Sequence, residues 1–295
     1  PAASYFLELL TRLFLLFVSL LQQDGTPSVP LWISPDRQQV PCCLRQLHGS
    51  AYYNLISYVE SDCNSYLQLH VRTAEFLDQW IWLSHFLNNE TPTYGNSGGI
   101  KINVNQSKKS GDSCNSHNLS FPNHVGSHVD VPYHFIDEGK KIDSYNPNDW
   151  IFENPYLIEY QINSNNNLIG KELLHSVEKK NNYDLLLIRT DFESCRGDTD
   201  YWENGPGLSS EIGVIIKDYF PNLKAIGIDF ISISSFQNRE IGRKAHVELL
   251  GRDIRLFEDL SLKNIDVSIE IKKVIALPLI FSGGDGSPVS IIALQ

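Results

Sequence analysis

The chain contains no methionine, and its five cysteines include no Cys-x-x-Cys pair. A small set of unpaired cysteines is typical of free thiols in a reducing compartment and argues against a disulfide framework. We therefore expect a cytoplasmic protein. The missing methionine, together with proline at position 1, is typical of a fragment or of a chain stripped of its start.

The chain also lacks an excess of basic residues and a long apolar run. Its net charge is −11, so no basic surface is available to neutralise the phosphates of a nucleic acid or an anionic membrane. The apolar residues 13–21 are too few to span a bilayer, which needs about 20. They also lack the basic flank and cleavage site of a signal peptide. Secretion is the alternative to a cytoplasmic location only if residues 1–21 act as a signal peptide.

Lysine is absent before Lys101, and asparagine is rare in residues 1–79 although it is abundant afterwards. Such a change in composition predicts a boundary, of the kind that a fusion or a mis-joined reading frame produces. We therefore divide the chain into an N-terminal segment of unknown role, residues 1–79, and a globular domain, residues 80–295.

Four side chains that bind metals or transfer protons fall within residues 124–134: His124, His128, Asp130 and His134. All four occupy even positions, and valines occupy most of the odd ones. Side chains alternate between the two faces of an extended chain, so the polar groups are predicted to share one face and the valines the other. Three nitrogen or oxygen ligands on one face, followed by a histidine beyond a proline, suit a divalent metal with a position open to water.

This stretch reads His-x-Gly-Ser-His-x-Asp-x-Pro-x-His-Phe and resembles the signature of the metal-dependent cyclase family, of which bacterial kynurenine formamidase is a member. Asp229 and Ser232 resemble the family's Gly-x-Asp-x-x-Ser stretch, and His246 and Glu258 its His-x-x-Leu-Leu…Glu spacing. The resemblance covers about residues 80–295. It implies an α/β fold, the family's swivelling β/β/α architecture with a β-barrel-like core and flanking helices.

The resemblance also implies the roles of individual residues. His134 would transfer a proton, and Tyr94 would line the substrate pocket. Two zinc ions are implied, and manganese is possible chemically because no ligand is soft. The implied metal ligands are His124, His128, Asp130, His246 and Glu258.

The implied activity is metal-dependent hydrolysis of an amide bond, with N-formyl-L-kynurenine as the small-molecule substrate. Hydrolysis of another substrate such as isatin is the first alternative, and a non-catalytic metal-binding protein is the second. A serine formamidase would need a Gly-x-Ser-x-Gly elbow, which we do not expect in this chain. Family members are commonly homodimers or larger assemblies, so the resemblance implies a homo-oligomer.

Local patterns predict several elements around these residues. Continuous apolar runs predict buried strands at residues 184–190 and 225–229. A helix is expected at residues 209–219. Only one turn of helix is expected at residues 245–251, stopped by Gly251, before a strand that carries Glu258 at its end.

Overall fold

A computed structural model of the protein describes residues 78–162, 167–177 and 182–295. Except for its last two residues, the predicted segment 1–79 lies outside the described residues, and so does the possible signal at residues 1–21. None of the described helices has the length and apolar character needed to cross a membrane.

The central feature of the described residues is a nine-stranded mixed sheet, with two short two-stranded sheets beside it. The strand order is β5-β12-β13-β4-β11-β10-β8-β6, and β1 also pairs with β13. The strands are β1 (Trp80–Trp82), β2 (Lys101–Gln106), β3 (Ser116–Ser120), β4 (His128–Asp130), β5 (Ile151–Phe152), β6 (Pro155–Glu159), β7 (Leu168–Ile169), β8 (Leu185–Arg189), β9 (Gly207–Leu208), β10 (Ala225–Ile228), β11 (Arg255–Glu258), β12 (Lys273–Pro278) and β13 (Gly286–Leu294).

Parallel pairing joins β6, β8, β10 and β11, whereas β4, β13, β12 and β5 pair antiparallel. Strand β13 pairs with β4 through its first residues and with β12 and β1 further along. It therefore connects β12 and β1 to the part of the sheet that continues from β4. The predicted α/β fold, with a barrel-like sheet and flanking helices, is confirmed.

Strand β8 shows why the sheet is buried on both faces. Leu186 and Ile188 belong to a hydrophobic core on one face, and Leu185 and Leu187 belong to a second core on the other. This alternation follows from the two-residue period of an extended chain. The apolar run that predicted a doubly buried strand is therefore confirmed here, and β10 likewise confirms the predicted strand at residues 225–229.

Three α-helices accompany the sheet among the described residues: α1 (Asp200–Glu203), α2 (Ser210–Tyr219) and α3 (Arg239–Leu250). Helix α2 matches its prediction. The prediction for α3 was wrong in length, because this helix has 12 residues rather than one turn. The helical turns before residue 245, which were not predicted, carry few apolar residues. Nevertheless, Ile241, Ala245 and Leu249 are spaced by four and share one face of the helix.

The signature stretch is less extended than predicted. Only His128–Asp130 forms a strand, because Gly126 has a positive φ of 61° and turns the chain before it. Pro132–His134 forms a 3-10 turn after it. The predicted division of faces still holds within the strand, since Val129 lies in the core while His128 and Asp130 line a cleft on the other side.

Candidate metal centre and cleft

Strand pairing brings together the two distant parts of the chain that carry the predicted ligands. Strands β4 and β11 are antiparallel neighbours, and their register places Glu258 directly opposite His128. Residues opposite one another in such a pair have side chains on the same face and in contact. The carboxylate of Glu258 therefore reaches the face of β4 that carries Asp130.

Helix α3 supplies the third histidine. His246 Nε2 lies 3.5 Å from Asp130 Oδ2 and 3.5 Å from Glu258 Oε1. On the other side of the same carboxylates, His128 Nε2 lies 3.5 Å from Asp130 Oδ1 and 3.4 Å from Glu258 Oε2. These four side chains are almost completely buried, and the two carboxylates each face both imidazoles.

These separations fit a shared cation better than direct pairing. Nitrogen–oxygen distances of 3.4 to 3.5 Å are longer than a good charge-assisted hydrogen bond, which is about 2.7 to 2.9 Å. Ligands about 2.0 to 2.1 Å from a tetrahedral zinc ion lie about 3.3 to 3.4 Å from one another. Imidazole and carboxylate are also the donors that zinc and manganese accept. The residues present therefore fit a divalent metal.

Backbone carbonyls orient two of the imidazoles. His128 Nδ1 lies 2.8 Å from the carbonyl oxygen of Gly126, and His246 Nδ1 lies 2.9 Å from that of Gly242. A carbonyl only accepts, so each Nδ1 donates, and each ring presents a lone pair at Nε2 once that nitrogen has lost its proton. Outer hydrogen bonds of this kind hold metal-binding histidines in one tautomer. Both rings are thus prepared for ligation through the nitrogen that faces the carboxylates.

A sixth ionisable group, Asp285, joins the cluster at its more exposed end. His124 Nδ1 lies 2.8 Å from Asp130 Oδ1, and its Nε2 lies 2.9 Å from Asp285 Oδ2. The same Asp285 oxygen lies 2.8 Å from His134 Nδ1, and the His134 ring stacks on His124 with centroids 3.9 Å apart. Sequence reasoning missed Asp285 because only the pairing of β13 with β4 brings this loop residue to the histidines.

The imidazoles and carboxylates shift one another's pKa values. Burial alone would lower the pKa of His124, but the carboxylates of Asp130 and Asp285 raise it to about 10. Burial acts in the same way on His246, whose pKa is raised to about 9 by the neighbouring carboxylates of Asp130 and Glu258. A histidine must lose its proton before it binds a metal, so a cation entering this cluster releases protons.

Comparison with known proteins assigns the chain to a family. The family model described as "Putative cyclase" matches residues 81–235, which is just over half of the chain. The chain belongs to the cyclase family. A relative of this cyclase-family chain is a kynurenine formamidase of Bacillus cereus, which is 30% identical over 213 residues. That match covers 72% of this chain and 95% of the relative.

Other relatives agree with this assignment. The kynurenine formamidase of Bacillus cytotoxicus is 30% identical over 220 residues, covering 72% of this chain and 96% of that protein. Among solved structures, isatin hydrolase A from Labrenzia aggregata, bound to benzyl benzoate, superposes with a TM-score of 0.62. It is 22% identical and covers 74% of this chain and 93% of that one, which shows that the cyclase-family fold is shared.

Several residues hold the ligands of this cyclase-family chain in place. The hydroxyl of Ser127 donates to the carbonyl of Asp259 and accepts from the backbone N–H of His85. It therefore ties the signature loop to the end of β11. The Ser232 hydroxyl and the Ile233 N–H both donate to Glu258 Oε1, at 3.1 and 2.7 Å. Ser232, which belongs to the stretch that resembles the family, thus helps to hold the Glu258 carboxylate in place.

Asp259, next to Glu258, is anchored separately. Its carboxylate accepts two hydrogen bonds from the Arg196 guanidinium, at 2.8 and 2.7 Å, and one from the Tyr201 hydroxyl at 2.5 Å. A buried carboxylate costs much less when it is paired and hydrogen-bonded in this way. These contacts hold the chain directly after β11, where Asp259 has a positive φ of 53°, and so keep Glu258 aimed at the cluster.

A cleft of about 260 Å³ opens over the cluster. Tyr94, for which substrate binding stays a prediction, lines this cleft and meets Phe236 edge-on with ring centroids 5.6 Å apart. Arg239 and Arg243 also line the cleft. Sequence reasoning missed both arginines because they lie in the part of α3 that was not predicted to be helical.

The expectation that the chain contains no Gly-x-Ser-x-Gly motif was wrong, because residues 95–99 read Gly-Asn-Ser-Gly-Gly. The structure does not make this motif a nucleophile elbow. Ser97 follows the 3-10 turn Tyr94–Asn96, is exposed, and donates its hydroxyl to the carbonyl of Tyr94 at 3.2 Å. No strand-to-helix turn holds it, and no described histidine contacts its hydroxyl, so the motif gives no support to serine hydrolysis.

Proposed function

We propose that this protein is a metal-dependent amide hydrolase that converts N-formyl-L-kynurenine to L-kynurenine and formate. The observation that carries the proposal is the buried group of imidazoles and carboxylates drawn from β4, β11 and α3. The 30% identity to kynurenine formamidases over nearly their whole length supports the choice of substrate.

Three groups of possible ligands overlap among the described residues, and two of them consist of the predicted ligands. His124, His128 and Asp130 form one group, and Asp130, His246 and Glu258 form another, each with ligand atoms within 4.8 Å of one another. Because Asp130 belongs to both and Glu258 also faces His128, we propose two zinc ions, with manganese as the alternative. Zinc bound here would polarise the substrate carbonyl and make a coordinated water acidic near neutral pH.

His134 is proposed to transfer the proton. Its Nδ1 faces Asp285 at 2.8 Å, so Nε2 is the nitrogen left to exchange a proton with reactants in the cleft. In the hydrolysis, the water oxygen bonds to the formyl carbon, the carbon–nitrogen bond breaks, and the nitrogen gains a proton. His134 would accept the proton from water and deliver it to the departing aniline nitrogen. Asp285 would hold the ring in orientation.

Tyr94 is proposed to contact the aromatic ring of the substrate. Its ring lies at the cleft and is supported edge-on by Phe236, so it presents a fixed apolar surface. Aromatic rings in offset or edge-to-face contact gain about 0.5 to 1.5 kcal/mol beyond burial.

We also propose a cytoplasmic homodimer or larger homo-oligomer. Cys114 and Cys195 are free thiols, which supports a reducing compartment. The resemblance to the cyclase family supports the homo-oligomer. Sedimentation of the purified chain measures its mass directly.

Rates of hydrolysis test the proposed function. Protein loaded with zinc is expected to release formate from N-formyl-L-kynurenine, and to lose that activity when a chelator removes the metal. Isatin, measured in parallel, tests the alternative substrate. Hydrolysis of isatin alone would assign the other substrate, and no hydrolysis of either would contradict the proposal.

A further inference from the structure

Helix α3 carries a line of three side chains that leads from the mouth of the cleft to the cluster. Arg239, Arg243 and His246 are spaced by four and three residues, so they lie on one face of the helix. All three line the cleft. With a rise of about 1.5 Å per residue, Arg243 lies about 4.5 Å and Arg239 about 10 Å along the helix axis from His246.

The guanidinium of Arg239 is held in a defined position. It lies over the ring of Phe236, 3.8 Å from the centroid, and 5.7 Å from the ring centroid of Tyr94. Phe236 is itself supported edge-on by Trp202, with centroids 5.1 Å apart. Gly95 leaves room for this arrangement, because a Cβ there would come within 3.1 Å of Phe236 and 3.9 Å of the guanidinium. Stacking on an aromatic face fixes an arginine while leaving its N–H groups free to bind an anion.

Neither arginine has an anionic partner within the part of the chain that the structure describes. Three other arginines there, Arg189, Arg196 and Arg252, pair with carboxylates. Both Arg239 and Arg243 are solvent-exposed, so their guanidinium groups are accessible to a ligand entering the cleft. Their charge attracts an anionic group to the mouth of the cleft, while the metal ligands lie at its base.

We propose that Arg239 and Arg243 bind the carboxylate of the substrate, and that the cleft therefore selects aryl formamides that carry an α-amino-acid side chain. This inference rests on the proposed function, because it orients the formamide toward the cluster. In N-formyl-L-kynurenine the carboxylate lies at the end of the side chain next to the formamide on the ring. The planar fork of arginine matches a carboxylate with two parallel hydrogen bonds. Isatin has no carboxylate and gains nothing from this subsite.

The test compares two substrates that differ only in the amino-acid group: N-formyl-L-kynurenine and N-formyl-2-aminoacetophenone. In the zinc-loaded double variant Arg239→Ala/Arg243→Ala, kcat/KM for the first substrate is expected to fall about 10- to 100-fold, mainly through KM. The neutral substrate has no carboxylate to lose, so its fall is expected to be much smaller and to come only from removing the Arg239 side chain from Phe236 and Tyr94. Arg239→Lys/Arg243→Lys is expected to recover part of the loss, since the charge remains but the fork is lost.

Lys244→Ala is the matched control, because Lys244 is an exposed cation on the same helix and does not line the cleft. The Lys244→Ala variant should keep the wild-type kcat/KM for both substrates. Equal losses on the two substrates, or no loss on either, would overturn the proposed subsite.

Binding separates this inference from the proposed reaction. Calorimetry with L-kynurenine and 2-aminoacetophenone measures carboxylate recognition without turnover. Suppose that wild type hydrolyses neither formamide, but the arginine substitutions still weaken the binding of L-kynurenine more than that of 2-aminoacetophenone. The subsite would then stand, and the proposed reaction would fail. If L-kynurenine binds no more weakly to the double variant than to wild type, the subsite is contradicted whatever the activity.

Discussion

Glu258→Gln is expected to strip the protein of metal and abolish turnover. Glu258 faces both His128 and His246, so its substitution removes an anionic ligand from two sides of the cluster at once. Loss of a supporting residue alone typically weakens metal binding 10- to 100-fold, and loss of this ligand should cost at least about a hundredfold. The hydrolytic rate should fall by more than about a thousandfold, since a bound metal contributes several kcal/mol of transition-state stabilisation. Elemental analysis and formate release measure the two effects.

Glu240→Gln provides the control for this substitution. Glu240 is exposed near the start of α3 and does not line the cleft, so its variant loses the same charge without touching the cluster. It should retain wild-type metal content and activity. A Glu258→Gln protein that kept its full metal content and rate would place the metal elsewhere in the molecule.

His134→Ala is expected to give the opposite combination: metal retained and turnover lost. The His134 ring stacks on His124 and contacts Asp285, and it lines the cleft without reaching Asp130 or Glu258. Removing a general acid–base residue typically lowers the rate 10²- to 10⁴-fold, so kcat should fall by about that factor. The prediction also distinguishes an enzyme from a non-catalytic metal-binding protein, in which this substitution would have no kinetic consequence.

His117→Ala is the matched control, because His117 is an exposed histidine on β3, outside the cleft. It should behave as wild type. If His134→Ala lost its metal as well as its activity, His134 would be a ligand rather than a proton donor. In that case His124, His134 and Asp285 would supply the ligand atoms, since these three side chains form a group that could hold a metal ion.

Local sequence was enough to predict the parts of the site that depend on local geometry. His128 and Asp130 are two residues apart on one strand, so their shared face follows from the strand period alone. The buried strands β8 and β10 follow from uninterrupted apolar runs in the same way. The contribution of His246 and Glu258 came from the family resemblance, because nothing local distinguishes them from surface residues.

The missed features depend on structure that is distant in sequence. Asp285 reaches His124 and His134 only because β13 pairs with β4, and pairing between distant strands leaves no local signal. The arginines of the cleft were missed because the N-terminal half of α3 is rich in polar residues, so the sequence there did not indicate a helix. The turn at Gly126 was also missed, since glycine permits a positive φ without requiring one.

Anomalous diffraction at the zinc edge, from crystals of zinc-loaded protein, tests most directly whether residues from β4, β11 and α3 bind a common cation. Two peaks are expected, one contacted by Asp130, His246 and Glu258, and the other contacted by His124 and His128 as well as the two shared carboxylates. Ligand distances should be about 2.0 to 2.2 Å. A peak remote from His246 and Glu258, or no peak at the base of the cleft, would contradict the account.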